Sequence, residues 1–444
     1  MLQRAQALKE RAREAVPEGT FAVGAGLMVA AITAYVFIVI TLRTLGKEGS
    51  VGFSAFWALI FVMGPGMFLP IEQEVGRALA HRRARGIGGG PLVKRAARLG
   101  GGLAGVVVVA AVVFAAPLRE HLFHGEGSLV AGLALGMVGF FSMHITRGTL
   151  AGNGRFRAYG EMLGAEGVVR LAAAVVLVVI GTETAGPFGF CLGLAPFVAV
   201  AFSLRKERGL IPPGPPAPYS ELSEKLAFLL IGSLLFQFLG YASLLAIGIL
   251  EKSSDKQAAE AFVVAFFVAR IPVLLFQAVQ GTLLPKLAGL AGAGRHDDFR
   301  TGLIRLMYVV VGIAVIGTVA AFTVGPFAGK ILFGAKKFTI GNVDLGLLAL
   351  GSGVFITALT LAQALIALDG HAEQMAAWLV GVAGFFGGLF LTSQLFLRVE
   401  LGFLLGSAMA GAVMVAALAR RMRNATSETM RTFVTALEHE PLEL

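Results

Sequence analysis

The sequence predicts an all-α polytopic membrane protein, with about twelve transmembrane helices in two six-helix lobes related by pseudo-two-fold symmetry along the membrane normal. Three observations predict it. The first is composition. Of 444 residues, 56% are hydrophobic and 14% charged, and mean hydropathy is +0.80. Soluble domains are about 45–50% apolar and about 25% charged. So apolar a chain cannot cover a water-facing surface with polar groups, which excludes a soluble enzyme and a disordered or disulfide-stapled chain. The second is a series of apolar runs near the roughly 20 residues a spanning helix needs. The third is a polar break near mid-chain, flanked by halves that resemble each other.

The spans are expected at 20–42, 51–71, 99–117, 128–146, 164–182, 186–204, 226–250, 257–281, 303–325, 342–368, 373–395 and 399–419. Only helices or closed barrels satisfy the backbone in lipid. These runs are too long and too uniformly apolar for barrel strands. Residues 1–19 alternate Arg4, Lys9, Arg11 and Arg13 with Glu10, Glu14 and Glu18. They read as an amphipathic segment on the membrane before the first span, and not as a cleaved signal.

Charge sets the orientation. With the amino terminus in the cytoplasm, 26 of the 37 Lys and Arg fall in inner segments, nine in outer loops, and Arg170 and Arg270 inside spans. The bias follows the positive-inside rule and puts both termini in the cytoplasm. The net charge of +10 is then a topology signal, and no basic, aromatic-interleaved domain points to nucleic acid.

The break at 205–225 contains Arg205-Lys206-Glu207-Arg208 and Pro212-Pro213-Gly214-Pro215-Pro216. A proline-rich stretch of this kind reads as an extended linker. It divides an N-lobe, 1–204, from a C-lobe, 226–419, which a tail at 420–444 follows. An offset of 207 pairs Pro65 with Pro272 and Gln73 with Gln280, and an offset of 216 pairs Gly154-Arg155 with Gly370-His371. Transporters are often built from such repeats, with the substrate path between them.

Two stretches carry a family resemblance. Phe266-Phe-Val-Ala-Arg270-Ile-Pro272-Val-Leu-Leu-Phe-Gln277-Ala-Val-Gln280 resembles the eighth helix of lipid-linked saccharide flippases. Arg147-Gly-Thr-Leu-Ala-Gly-Asn-Gly-Arg155-Phe-Arg157-Ala-Tyr159 resembles the end of their fourth. The chain thus resembles the multidrug/oligosaccharidyl-lipid/polysaccharide exporter superfamily, and within it the polysaccharide (Wzx-type) flippases. The resemblance implies alternating access with a cationic cavity, and a polyprenyl diphosphate-linked oligosaccharide as cargo for cell-surface polysaccharide synthesis. It also implies a bacterial cytoplasmic membrane, membrane lipids as surroundings, and a polysaccharide polymerase and glycosyltransferases as partners. The alternatives are a flippase of the murein-precursor (lipid II) branch and a drug/cation antiporter. The murein-precursor branch has fourteen spans, and an arginine of its eighth helix lines the cavity where Arg270 stands here. The antiporters often carry an acid in the first helix, and 20–42 has none. No cofactor, metal or enzymatic activity is expected.

Among individual residues, Arg270 lies near the centre of a span, where an arginine costs about 2.5–3.5 kcal/mol on insertion scales. It reads as a cavity cation for a diphosphate, or as an arginine paired between helices. Arg170 follows Glu166 by four residues, a spacing that favours a structural pair and leaves an inward-facing role open. Glu72, Gln73, Glu74 and Arg77 close the second span, either as a solvated helix end or as a gate or coupling group, and Glu74 and Arg77 are spaced to pair. Arg147, Arg155, Arg157 and Tyr159 read as orientation charge or as a place of diphosphate capture. Gln237, Gln277 and Gln280 are intramembrane amides that join helices or bind sugar hydroxyls. Gly132/Gly136, Gly384/Gly388 and Gly402/Gly406 read as small-residue packing pairs. His121 and His124 lack further metal ligands, and the lone Cys191 reads as a small core residue.

Overall fold

The computed structural model describes residues 20–218, 221–222, 226–252, 255–273, 276, 289–291 and 293–439, with side chains to Arg423. The amphipathic segment expected at 1–19, together with Gln277 and Gln280, lies outside them. The fold is all-α, and no strand occurs among the described residues. The helices are α1 (Thr20–Thr44), α2 (Lys47–Ala84), α3 (Gly90–Val113), α4 (Ser128–Gly152), α5 (Phe156–Val179), α6 (Ala185–Leu204), α7 (Leu226–Leu250), α8 (Lys256–Ala269), α9 (His296–Thr323), α10 (Gly325–Phe333), α11 (Asn342–Ala367), α12 (His371–Gly388) and α13 (Leu395–His439). Ten of the described helices are long and apolar enough to cross a membrane. The two expected spans outside that set, 257–281 and 373–395, correspond to α8 and α12.

Two helices overrun the boundaries that hydropathy suggests. α2 continues past residue 71 to Ala84, so most of the loop expected after it is helix. α13 likewise continues through the charged stretch after residue 419. Hydropathy marks where a helix leaves an apolar medium, whereas the helix ends only where backbone bonding or propensity fails. Ala, Arg and Glu are good helix formers and give no reason to stop.

The chain forms two compact units: Met1–Gln237 with Lys252–Glu260, and Phe238–Glu251 with Ala261–Leu444. In the first, α2 packs on α4, α1 on α5, and α6 on α4 and α5. The α2–α4 crossing is close because Gly148 has no side chain. A Cβ there would stand 2.6 Å from the Glu72 carbonyl oxygen. Gly132 and Gly136 pack against Gly189 and Gly193 of α6. In the second unit, α13 packs on α11 and α12, and α9 on α11. The α12–α13 seam joins Gly384 to Gly406 and Gly388 to Gly402, so the small-residue pairs serve as packing surfaces. The lipid-facing sides stay apolar: Val106, Val113, Val179, Ile316 and Phe390 are all exposed, and in a bilayer such a surface meets hydrocarbon instead of water.

The described residues of the proline-rich stretch, 212–216, form no helix and are docked, not free. Arg82, buried at the end of α2, donates to both carboxylate oxygens of Glu221 at 2.6 and 2.8 Å. It also donates to the carbonyls of Gly88, Pro215 and Pro216. Asn153 holds the Leu210 carbonyl at 3.0 Å. Proline carbonyls have no helical partner, so they are available to a guanidinium whose planar fork carries five donors.

Candidate functional site

Each unit contains a polar centre inside its apolar packing. In the first unit the centre is Glu72, which is 5% exposed. α4 brings His144 to it, with Nδ1 2.6 Å from Oε2. α5 brings Tyr159, whose hydroxyl donates to Oε1 at 2.7 Å. Arg147 donates to the same tyrosine oxygen at 2.7 Å and lies 3.1 Å from Glu72 Oε1. The carboxylate is thus hydrogen-bonded by two side chains, and the Arg147 guanidinium balances its charge as an ion pair, as a buried ion needs. The His144 ring lies beside Phe68 and Phe140, and its Nε2 has no partner.

This corrects two expectations. Glu72 is not part of a solvated helix end, because α2 continues beyond it and α4 covers it. Arg147 is not simple orientation charge, because it is buried against Glu72 and Tyr159. His144 was not singled out in the sequence. A lone histidine in an apolar helix carries no spacing signal, and its partner lies 72 positions away.

The neighbouring expectations divide. Glu166 and Arg170 form a buried pair at 2.7 Å, with the guanidinium over the Phe37 ring. Glu74 and Arg77 pair at 2.8 Å, and Arg77 also reaches the Glu221 carbonyl. Gln73 is exposed. Gln237 donates to the Phe61 carbonyl at 2.9 Å and joins α7 to α2. Arg157 makes an exposed pair with Glu161.

The second unit holds Arg270, just past the end of α8. Its guanidinium stands 4.8–5.7 Å from four ring centroids: Tyr241 of α7, Phe266 of α8, Phe355 of α11 and Phe403 of α13. Gly240 leaves the space, since a Cβ there would lie 3.4 Å from Arg270 Nη2. Rings attract a guanidinium through their faces and leave its in-plane N–H groups unspent. No carboxylate pairs with Arg270 among the described residues. A guanidinium faced by rings has its in-plane N–H groups directed away from them, where they can make charge-assisted hydrogen bonds to an anion. No His/Cys/Asp/Glu group among the described residues is arranged to hold a metal.

The fold is that of the multidrug and toxin extrusion (MATE) transporters. An inward-facing multidrug resistance MATE family transporter of the MOP superfamily matches with a TM-score of 0.69 at 12% identity, covering 89% of this chain and 96% of that one. An outward-facing structure so described matches with a TM-score of 0.67 at 12% identity, over 93% and 97%. A Vibrio cholerae MATE transporter gives 0.67 at 15% identity, over 92% and 97%. In sequence, the chain is 28% identical to an uncharacterized protein of Mycobacterium tuberculosis over 95% of its length and 98% of the relative's. It is 26% identical to an uncharacterized protein of Mycobacterium bovis, over 91% and 93%. No protein-family profile matches the chain.

Proposed function

We propose that the chain is an alternating-access membrane transporter that flips a polyprenyl diphosphate-linked oligosaccharide across a bacterial cytoplasmic membrane, with both termini inside. The observation that carries this reading is Arg270. A guanidinium deep in apolar surroundings is costly. It is tolerated here between four aromatic rings, with no carboxylate to neutralise it among the described residues. That arrangement suits a bidentate partner such as a diphosphate. Solved proteins of the same fold occur in inward- and outward-facing forms, which supports alternating access. The cargo would then pass to a polymerase, having been built by glycosyltransferases on the inner face.

The test is mass spectrometry of polyprenyl-linked saccharides in cells depleted of the protein, complemented with wild type or Arg270→Ala. A lipid-linked oligosaccharide should accumulate on depletion, wild type should clear it, and Arg270→Ala should not, although folded and inserted. Unchanged lipid-linked pools on depletion, or full clearance by Arg270→Ala, would overturn the proposal.

The descriptions of the structural neighbours as multidrug transporters favour a drug/cation antiporter as a second reading. The two part at the same residue. A cationic dye is repelled by the Arg270 centre, so that reading predicts dye efflux that improves, or does not change, in Arg270→Ala. A murein-precursor flippase is the nearer alternative, and the accumulated saccharide identifies it.

A further inference from the structure

The second unit contains another isolated ionisable group. Glu400 lies in the second turn of α13 and is 1% exposed. Both of its carboxyl oxygens are buried and have no hydrogen-bond partner. Glu72 and Glu166, in the first unit, each have an arginine within reach. A bare carboxylate taken out of water and left unpaired costs several kcal/mol, so a cation must accompany it.

The charged groups on the elements packed around α13 do not supply that cation. On α11 the charged residue is Asp344, of the same sign as Glu400, so it supplies no cation. On α12, Glu373 is paired with Arg421, about six turns further along α13 than Glu400. α9 has no charged residue between Arg305 and Thr323. α8 meets α13 through Phe262 and Phe396, and Glu260 precedes that contact. Arg398, two positions before Glu400, lies on a different helix face. A metal ion needs several oxygen ligands, and no polar atom stands within hydrogen-bond distance of Glu400 among the described residues. A proton needs only the carboxylate itself.

We propose that Glu400 is a proton-binding site whose occupancy sets the affinity of the Arg270 centre for its anion. The link is Phe403, which follows Glu400 by three residues on the same face of α13 and forms one wall around Arg270. In the protonated state Glu400 is neutral and Arg270 attracts an anion unopposed. When water reaches Glu400, the O–H bond breaks, the proton leaves on water, and the carboxylate remains. That negative charge, on the order of 10 Å from Arg270 by helix geometry, competes with the anion. At an effective dielectric of about 20 it weakens binding on the order of tenfold. By linkage, the bound anion favours the protonated carboxyl by the same factor.

The second half of this inference rests on Arg270 being an anion site; the first does not. The experiment therefore has two readouts on the full chain in lipid. Infrared difference spectroscopy between neutral and alkaline pH should show a protonated carboxyl band in wild type that is absent from Glu400→Gln. Binding of farnesyl diphosphate should weaken about tenfold across the same interval in wild type, beyond any change in Glu400→Gln. A band retained in Glu400→Gln would overturn the proton site. Equal pH dependence in wild type and Glu400→Gln would overturn its coupling to Arg270. If farnesyl diphosphate fails to bind at any pH while the band behaves as expected, the anion reading of Arg270 fails and the proton site stands.

Discussion

At the scale of single residues, the two centres use opposite solutions to the cost of burying charge. Glu72 is neutralised on the spot by Arg147 and hydrogen-bonded by His144 and Tyr159. Arg270 is surrounded by ring faces, with no carboxylate paired to it among the described residues. The first arrangement is structural in consequence: removing one partner leaves the other charge buried and uncompensated. Glu72→Ala is therefore expected to destabilise the protein by about 3–5 kcal/mol. A double variant, Glu72→Leu with Arg147→Met, should recover most of that loss, because two apolar side chains fill the space without a stranded ion. Thermal unfolding in detergent checks both. A double variant no more stable than Glu72→Ala would mean that the network acts through more than charge balance. Arg270 was visible in the sequence because a charge inside an apolar run stands out. Its surroundings were not, because Tyr241, Phe355 and Phe403 come from helices scattered along the chain and look like ordinary core residues. Glu400 and His144 carry no sequence signal for a related reason: neither lies in a spaced pair, and what surrounds a buried group is a property of the packed structure.

At the scale of elements, hydropathy located the spans well and their ends poorly. It measures the medium, whereas α2 and α13 end where backbone bonding ends. The docked linker shows the same limit. Its prolines predict an extended linker, but nothing in Pro212–Pro216 discloses that Arg82 collects the carbonyls of Pro215 and Pro216. The Arg82 clamp has a pH signature. The hydrogen bond from Arg82 holds the Glu221 carboxyl below the usual carboxylate range. A carboxyl depressed in the folded state adds stability that is present above its unfolded pKa and is lost as pH falls through the folded one. Glu221 is partly exposed, so solvent screening keeps the contribution modest, about 1 kcal/mol or less. Glu221→Gln should thus lower the unfolding temperature slightly at neutral pH, and the difference from wild type should shrink as the carboxyl is protonated in acid. No difference at any pH would show that the clamp works through the proline carbonyls alone.

At the scale of the whole molecule, the proposed cargo makes a prediction about membrane potential. A carrier that returns empty moves its own fixed charges forward and back, so a complete cycle transfers only what it carries. Each net charge is worth about 2.3 kcal/mol per 100 mV, or about fifty-fold in accumulation at equilibrium. A diphosphate has roughly two negative charges, which alone would give about two-thousand-fold per 100 mV. If the proton on Glu400 crosses with the anion, as their mutual stabilisation favours, the net charge falls to one and the ratio to about fifty-fold. Vesicles containing the purified protein, with the potential clamped by a potassium gradient and valinomycin, would measure this with a farnesyl diphosphate-linked sugar as cargo, whose diphosphate diester has two ionised oxygens. Wild type should follow the one-charge slope, and Glu400→Gln, if it still turns over, the two-charge slope. Accumulation toward the positive side is required in both. Two-charge slopes in both proteins would mean that the proton binds without travelling, and no response to potential in either would exclude a charged cargo.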